Sequence, residues 1–114
     1  MRAKDVDVQV KLVIVPRGSK PFSPAFGKGV VSLCKRVQEM GSLNKAAHDM
    51  GMSYSKAWRI MKSAEEEFGI GLLDRMGPKG STLTPEAEKL VAAYDAASDA
   101  ALEAARDVLK KELR

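Results

Sequence analysis

The stretch from Ser42 to Pro85 constrains the fold of this chain more than any other. It holds two short helix-forming segments separated by Gly51, followed by a Gly-Pro-Lys-Gly turn at 77–80. A glycine between two short helices suits the left-handed residue that ends the first of them, and a turn between two short apolar runs predicts a hairpin. This order is typical of a winged helix-turn-helix, whose second helix enters the major groove of duplex DNA. We therefore expect a double-stranded DNA partner.

Hydroxyl residues mark where three helices should begin. Ser42, Ser53 and Thr84 each precede a helical pattern, and each side chain can accept a hydrogen bond from a free amide in the first turn. Thr84 is followed by Pro85 and Glu86, which favour the first helical turn. A helix of roughly 30 residues, about 45 Å long, should follow.

The chain before Ser42 predicts one strand and one helix. Apolar residues alternate with polar ones from Val6 to Ile14, which predicts a strand with one solvated face. Such a strand needs a partner, and the hairpin around 77–80 could supply it. After Gly27, apolar residues recur every three or four positions up to Gly41, which predicts a helix over this range.

Charge and cysteine content narrow the possible functions. The net charge is +4, but residues 1–64 hold 12 basic and 4 acidic side chains and the remainder is acidic, so the positive field belongs to the half with the helix pair. The lone Cys34 excludes an intrachain disulfide. The start of the chain lacks the apolar stretch of a signal peptide, and the run 12–15 is too short to cross a membrane. We expect a cytoplasmic protein without membrane association.

The first turns of the second helix of the pair carry side chains that can contact DNA bases. Arg59 suits bidentate contact with a guanine, whereas Lys56 and Lys62 could equally contact phosphates, and a solvated position is as plausible for Lys62. In the hairpin we favour a backbone or minor-groove contact for Lys79 over a solvated turn. The predicted DNA-binding residues are Ser42, Ser53, Tyr54, Ser55, Lys56, Arg59, Lys62, Arg75, Lys79 and Ser81.

Other residues that could carry chemistry have simpler interpretations. Trp58 lies beside the apolar stripe of its helix, which favours packing over base stacking, and Cys34 also fits an apolar face. The run Glu65–Glu67 fits a solvated helix face or steering charges. His48 is the only histidine and cannot alone form a metal site or a triad. We find no catalytic constellation and expect no enzyme activity, metal or cofactor.

The long last helix predicts a homodimer. Its distal half extends beyond a compact head of this size, so its apolar stripe needs another helix to cover it. The predicted dimerisation residues are Leu90, Tyr94, Ala97, Ala101 and Val108. We expect residues 1–84 to form the winged helix-turn-helix and residues 85–114 the dimerisation helix of the same single unit. The expected fold class is mainly α with a small β-sheet.

Several linked motifs carry a family resemblance. They are Gly-Ser-Leu-Asn-Lys-Ala-Ala at 41–47, Met-Ser-Tyr-Ser-Lys-Ala-Trp-Arg at 52–59, Glu-Glu-Glu-Phe-Gly at 65–69, Leu-Leu-Asp-Arg at 72–75 and Leu-Thr-Pro-Glu-Ala at 83–87. Together they resemble the N-terminal DNA-binding domain of the molybdate-responsive ModE family, which is related to LysR-type regulators. The resemblance implies a dimeric transcription regulator that reads a roughly palindromic operator. It also implies that the helix at 53–68 reads the groove and that Arg75 and Lys79 lie at the wing.

The sequence departs from the ModE pattern at its end. Sensor members of the family continue into a molybdate-binding domain, whereas this sequence reaches Arg114 after a charged helix. We therefore expect a stand-alone DNA-binding unit that does not itself bind molybdate. The alternative is a winged helix that docks an acidic protein partner without specific DNA binding, which the modest net charge would permit.

Overall fold

The computed structural model describes residues 1–21, 25–75 and 80–114, with Arg75 described in its backbone only. After a 3-10 turn at Ala3–Asp5 come three helices, a hairpin and a long helix. The elements are α1 (Lys28–Met40), α2 (Leu43–Asp49), α3 (Tyr54–Phe68), β1 (Leu73–Arg75), β2 (Ser81–Leu83) and α4 (Pro85–Glu112). This is a winged helix-turn-helix followed by a C-terminal helix, as predicted.

The predicted starts and ends of the helices are confirmed. Ser42 Oγ accepts a hydrogen bond from the Lys45 amide at 3.2 Å, and Ser53 Oγ accepts one from the Lys56 amide at 3.1 Å. Thr84 Oγ1 does the same for Ala87 at 3.1 Å. These bonds satisfy amides that have no partner within the helix, which fixes where each helix begins.

One core lies between α1, α2, α3 and the first turns of α4. The ring of Phe26 is fully buried and makes edge-on contacts with Phe68 and Tyr94, with ring centroids 6.3 and 6.4 Å apart. Phe26 therefore joins the end of α3 to α4. The other buried side chains recur at helical spacing, as the sequence pattern predicted, and include Leu33, Val37, Leu43, Ala46, Ala57 and Met61.

The wing, formed by β1 and β2, is attached at its base to the head, which comprises α1, α2, α3 and the first turns of α4. The strands β1 and β2 are antiparallel, with Leu73 opposite Leu83. The amide of Ser81 donates to the carbonyl of Gly41 at 2.9 Å. Gly80 has φ +105°, and a Cβ at this position would collide with the Gly41 carbonyl oxygen. Only glycine allows the wing to approach the α1–α2 turn this closely.

A carboxylate and a hydroxyl hold the segment that leads into the wing. Glu65 Oε2 accepts hydrogen bonds from the amides of Leu72 and Leu73 at 2.7 and 3.3 Å. Thr84 Oγ1 donates to the carbonyl of Gly71 at 2.7 Å. The expectation that the whole Glu65–Glu67 run faces solvent is therefore wrong for Glu65, whose partners lie in a later turn of the chain.

The predicted strand from Val6 to Ile14 is also wrong, apart from its last residue. Ile14 forms an isolated antiparallel bridge with Phe26, with both backbone bonds at 3.0 Å, and the described part of the wing sheet has two strands. The start of the chain instead reaches the far end of α4. The Ala3 amide donates to the Leu113 carbonyl at 2.6 Å, and the Arg106 guanidinium donates to both carboxylate oxygens of Asp7 at 3.0 and 3.1 Å.

The helix α4 leaves the core after about three turns. Ala87 and Val91 are buried, Leu90 and Tyr94 pack against the core, and Lys35 on α1 pairs with Asp95 at 2.8 Å. Beyond these residues α4 is covered only in part. In the described residues, no helix is both long and apolar enough to cross a membrane.

Candidate nucleic-acid interface

The helix α3 has a buried side and a polar side. Ala57, Met61 and Ala64 are buried in the core, as the apolar stripe predicted. The side chains around the opposite face are exposed, and they include Ser55, Lys56, Arg59 and Lys62. This helix is thus held by one face and presents donors and cations on the other, which is the arrangement that groove readout requires.

The first turns of α2 and α3 offer groups that suit an anion. The Ser42 and Ser53 hydroxyl oxygens accept capping bonds, and a hydroxyl that accepts one bond can still donate its own hydrogen. The first amides of each helix and the positive end of its dipole point the same way. Capping and phosphate contact are therefore compatible at both serines.

An open cleft of about 260 Å³ lies on the exposed flank of α3. It is lined by Tyr54, Ser55, Trp58 and Arg59. The Tyr54 side chain is 43% exposed, whereas Trp58 is half-buried and packs against the core. The preference for a packing role of Trp58 is confirmed, but part of its ring also borders the polar face.

Lys62 occupies a position that neither sequence interpretation considered. Its ammonium lies 5.7 Å from the centroid of the Trp58 ring, within the range of a cation–π contact. The two residues also line a second cleft, of about 560 Å³, between α3 and the wing, with Leu73 and Asp74 on its far side. Lys62 is thus exposed to solvent and also lies beside the wing.

The structure brings two predicted residues together at the wing base. Ser81 is bonded to Gly41, which directly precedes Ser42, so Ser42 and Ser81 lie at one junction. Arg75 is paired with Ser81 across the hairpin through its backbone. The Arg75 side chain and all of Lys79 lie outside the described residues, so their predicted contacts stay predictions.

Sequence reasoning missed two polar residues beside Ser42. Asn44 and Lys45 are exposed on the first turn of α2 and line an open cleft with His48 and Asp49. The capping signal at Ser42 could have identified them, because residues two and three positions after a cap share its helix end. They add an amide and a cation to the group around the α2 start.

Two cations of α1 are held in ion pairs. Arg36 on α1 is bonded to Asp49 at the end of α2 at 2.8 Å, and Lys35 is paired with Asp95. The exposed cations of α2 and α3 are Lys45, Lys56, Arg59 and Lys62. Four of the twelve basic side chains of residues 1–64 therefore lie exposed on the two helices of the helix-turn-helix.

Cys34 takes no part in this surface. Its side chain is fully buried, and burial, together with the charge of Glu65, raises the pKa of the thiol to about 12. A thiol that stays protonated is a poor nucleophile. Its predicted packing role is confirmed.

Comparison with known proteins defines the class. Residues 31–88, from α1 to the first turn of α4, match the bacterial regulatory helix-turn-helix proteins of the lysR family. The chain belongs to this family. Over 69 residues it is also 38% identical to the transcriptional regulator ModE of Haemophilus influenzae, a match that covers 57% of this chain and 27% of that protein. The ModE-like interpretation of the sequence is therefore confirmed, and the chain spans about a quarter of that relative.

Proposed function

We propose that this chain is a sequence-specific DNA-binding transcriptional regulator that places α3 in the major groove. The observation that carries the proposal is the exposed side of α3, where Ser55, Lys56 and Arg59 follow a serine-capped helix start. Family membership and the similarity to a transcriptional regulator support it.

The proposed roles within the interface follow from side-chain chemistry. Arg59 reads a base, because a guanidinium can donate two parallel hydrogen bonds to guanine. Lys45 and Lys56 bind phosphates as point charges, and the hydroxyls of Ser42, Ser53 and Ser81 fix the register of the duplex. Lys62, Arg75 and Lys79 extend the contact towards the wing.

The test is selection of bound fragments from the genome that encodes the protein. One enriched sequence is expected; no enrichment at moderate salt would refute the proposal. A stoichiometric acidic protein partner whose binding survives the loss of Lys56 and Arg59 would instead favour the protein-docking alternative.

Two substitutions then separate base reading from phosphate binding. Arg59→Ala should relax the preference at one base and cost about 1–3 kcal/mol of binding free energy. Lys56→Ala should weaken binding to every sequence and reduce the slope of log affinity against log salt by about one unit. Lys111→Ala, the same loss of charge near the end of α4, serves as the control. Equal effects of Arg59→Ala on all sequences would contradict its assigned role.

We further propose that α4 joins two copies of the chain, so that two reading helices engage a palindromic site. Of the predicted interface residues, Leu90 and Tyr94 pack against their own core, Ala101 is half-buried, and Ala97 and Val108 are exposed. Arg106 and Leu113, which contact the N-terminal segment, lie more than a quarter-turn around the helix from Val108 at about 100° per residue. The stripe through Ala97 and Val108 therefore supports an interface that leaves the N-terminal segment in place.

A matched pair of alanines tests this interface. Ala97 and Ala92 are both exposed on α4, but they lie on nearly opposite faces. Ala97→Glu should shift the protein towards monomer in analytical ultracentrifugation and weaken binding to the full site, whereas Ala92→Glu should change neither. An unchanged dimer in Ala97→Glu, or after truncation following Tyr94, would place the interface elsewhere.

A further inference from the structure

A row of side chains along one edge of α3 has a chemistry that hydrogen-bonded readout does not use. Tyr54, Trp58 and Lys62 are spaced four residues apart, so they neighbour one another along the helix surface. Two are aromatic, and the third places its ammonium over the Trp58 ring at 5.7 Å. The row therefore presents aromatic surface next to the polar face.

Packing fixes the position of this aromatic surface. Trp58 packs against the buried core and also lines the cleft shared with Tyr54, Ser55 and Arg59. The Lys62 ammonium, one helical turn further along, lies over the Trp58 ring. A ring held in this way loses little conformational entropy when a ligand covers its edge.

The geometry points to Tyr54 and Trp58 as an apolar contact for the C5-methyl group of a thymine in the major groove. This inference rests on the proposed function, because it requires that α3 enters the groove. The methyl group of thymine is the apolar feature among the base edges of the major groove. An aromatic edge beside Arg59 thus adds selection for thymine next to the guanine that Arg59 reads.

The alternative partners at this position fit less well. A phosphate in this cleft would bind at the donors of Ser55 and Arg59 rather than against the aromatic carbons. Hydrogen-bonding base edges other than thymine would leave their donors or acceptors facing carbon, which costs free energy. Contact with the methyl group removes apolar surface of both the thymine and the aromatic side chains from water.

The experiment replaces single thymines of the selected site with deoxyuridine, which removes only the methyl group. Wild-type protein should lose about fourfold in affinity at one thymine in each half-site, because one buried methyl group contributes about 0.8 kcal/mol. Trp58→Ala should bind the thymine and uracil forms of that site equally well. Lys56→Ala is the control, which should weaken binding to both forms and keep the fourfold ratio.

A second variant protects the test against misfolding, since Trp58 also packs against the core. Tyr54→Ala removes a 43% exposed side chain from the same cleft and should reduce the ratio of thymine to uracil affinity towards one. Equal affinity of wild type for every uracil-substituted site would overturn the inference while leaving the proposed function intact. A fourfold ratio that persists in both aromatic variants would also overturn it, and absence of any selected site would refute the proposed function itself.

Discussion

The helices α3 and α4 begin alike and then diverge. Each starts at a hydroxyl that caps its first turn, Ser53 for α3 and Thr84 for α4. The apolar stripe of α3 is buried along its length, with Ala57, Met61 and Ala64 in the core. In α4 the buried residues are Ala87 and Val91, both in the first two turns, and Val108 is 55% exposed.

This difference separates the contacts that one chain makes for itself from those that the proposed dimer would add. Since the contacts of α3 all lie within the head, a reading surface can be held in place by one copy of the chain. The far part of α4 has a 3-10 turn and one ion pair from the same chain as its described contacts, so the proposed second copy would cover mainly this apolar stripe. Changes in the head should therefore alter the free energy of unfolding, whereas changes in distal α4 should alter assembly.

The largest expected effect is at the wing base in the head. Gly80→Ala should lower the free energy of unfolding by about 2–4 kcal/mol, because the new Cβ meets the Gly41 carbonyl and the backbone is left-handed. Gly51→Ala is the control: it shares a positive φ but has nothing within 4 Å, and it should cost about 1 kcal/mol. Equal costs in urea unfolding would show that the wing does not press against the α1–α2 turn.

The next largest effect concerns the Glu65 carboxylate, which binds the backbone segment that leads into the wing. Glu65→Ala should cost about 1–3 kcal/mol, because two amides at Leu72 and Leu73 lose their acceptor. Glu66→Ala removes an exposed carboxylate from the next position and should change the free energy of unfolding little. If both variants unfold at the same denaturant concentration as wild type, Glu65 does not anchor the wing.

Alkaline pH gives a smaller test of the head core. The pKa of Cys34 is raised to about 12 from 9.0, so above pH 9 the folded state holds a proton that the unfolded state releases. This contribution to stability is present below pH 9 and is lost as pH rises, at up to about 1.4 kcal/mol per unit. Wild type should therefore lose stability more steeply than Cys34→Ala between pH 9 and 10; parallel curves would contradict the buried thiol.

The smallest effect on unfolding belongs to distal α4. Asp7→Asn should leave the melting temperature nearly unchanged, because both partners of the Asp7–Arg106 pair are exposed, but it should speed amide hydrogen exchange at residues 3–8. Asp99→Asn, elsewhere on α4, is the control. The bond to Arg106 lowers the pKa of Asp7 below 3.8, so the contact should persist above that pH and weaken as pH falls through the lowered pKa. Unchanged exchange in Asp7→Asn would mean that the pair does not hold the segment.

The parts of the fold that the sequence predicted depend on local signals. The capping oxygens of Ser42, Ser53 and Thr84 each accept a hydrogen bond from an amide three residues later. A short stretch of sequence therefore contains both the acceptor and the donor. The prediction of a strand at Val6–Ile14 was wrong because alternation of apolar residues shows only that one side of a segment is covered. It does not show which element covers that side. The contacts of Asp7 and Arg106 join residues 99 positions apart, which no short pattern encodes.

The candidate site was predictable to a similar extent. Helical periodicity separates Arg59 and Lys56 from the buried stripe, so their exposure follows from spacing alone. Two other features of the site were not predictable from spacing. The position of Lys62 over Trp58 depends on side-chain conformation, and the hydrogen bond from Ser81 to Gly41 depends on where the hairpin packs. Glu65 was misassigned because its acceptor role arises only when residues 71–73 turn back towards α3.

The contact between Ala3 and Leu113 has a consequence for the topology of the chain. Since these residues share a backbone hydrogen bond of 2.6 Å, the described fold nearly forms a closed ring. A short peptide linking the two ends would constrain the unfolded chain while requiring little rearrangement of the folded one. Joining residues 1 and 114 of this sequence is thus a route to a stabilised form of the described fold.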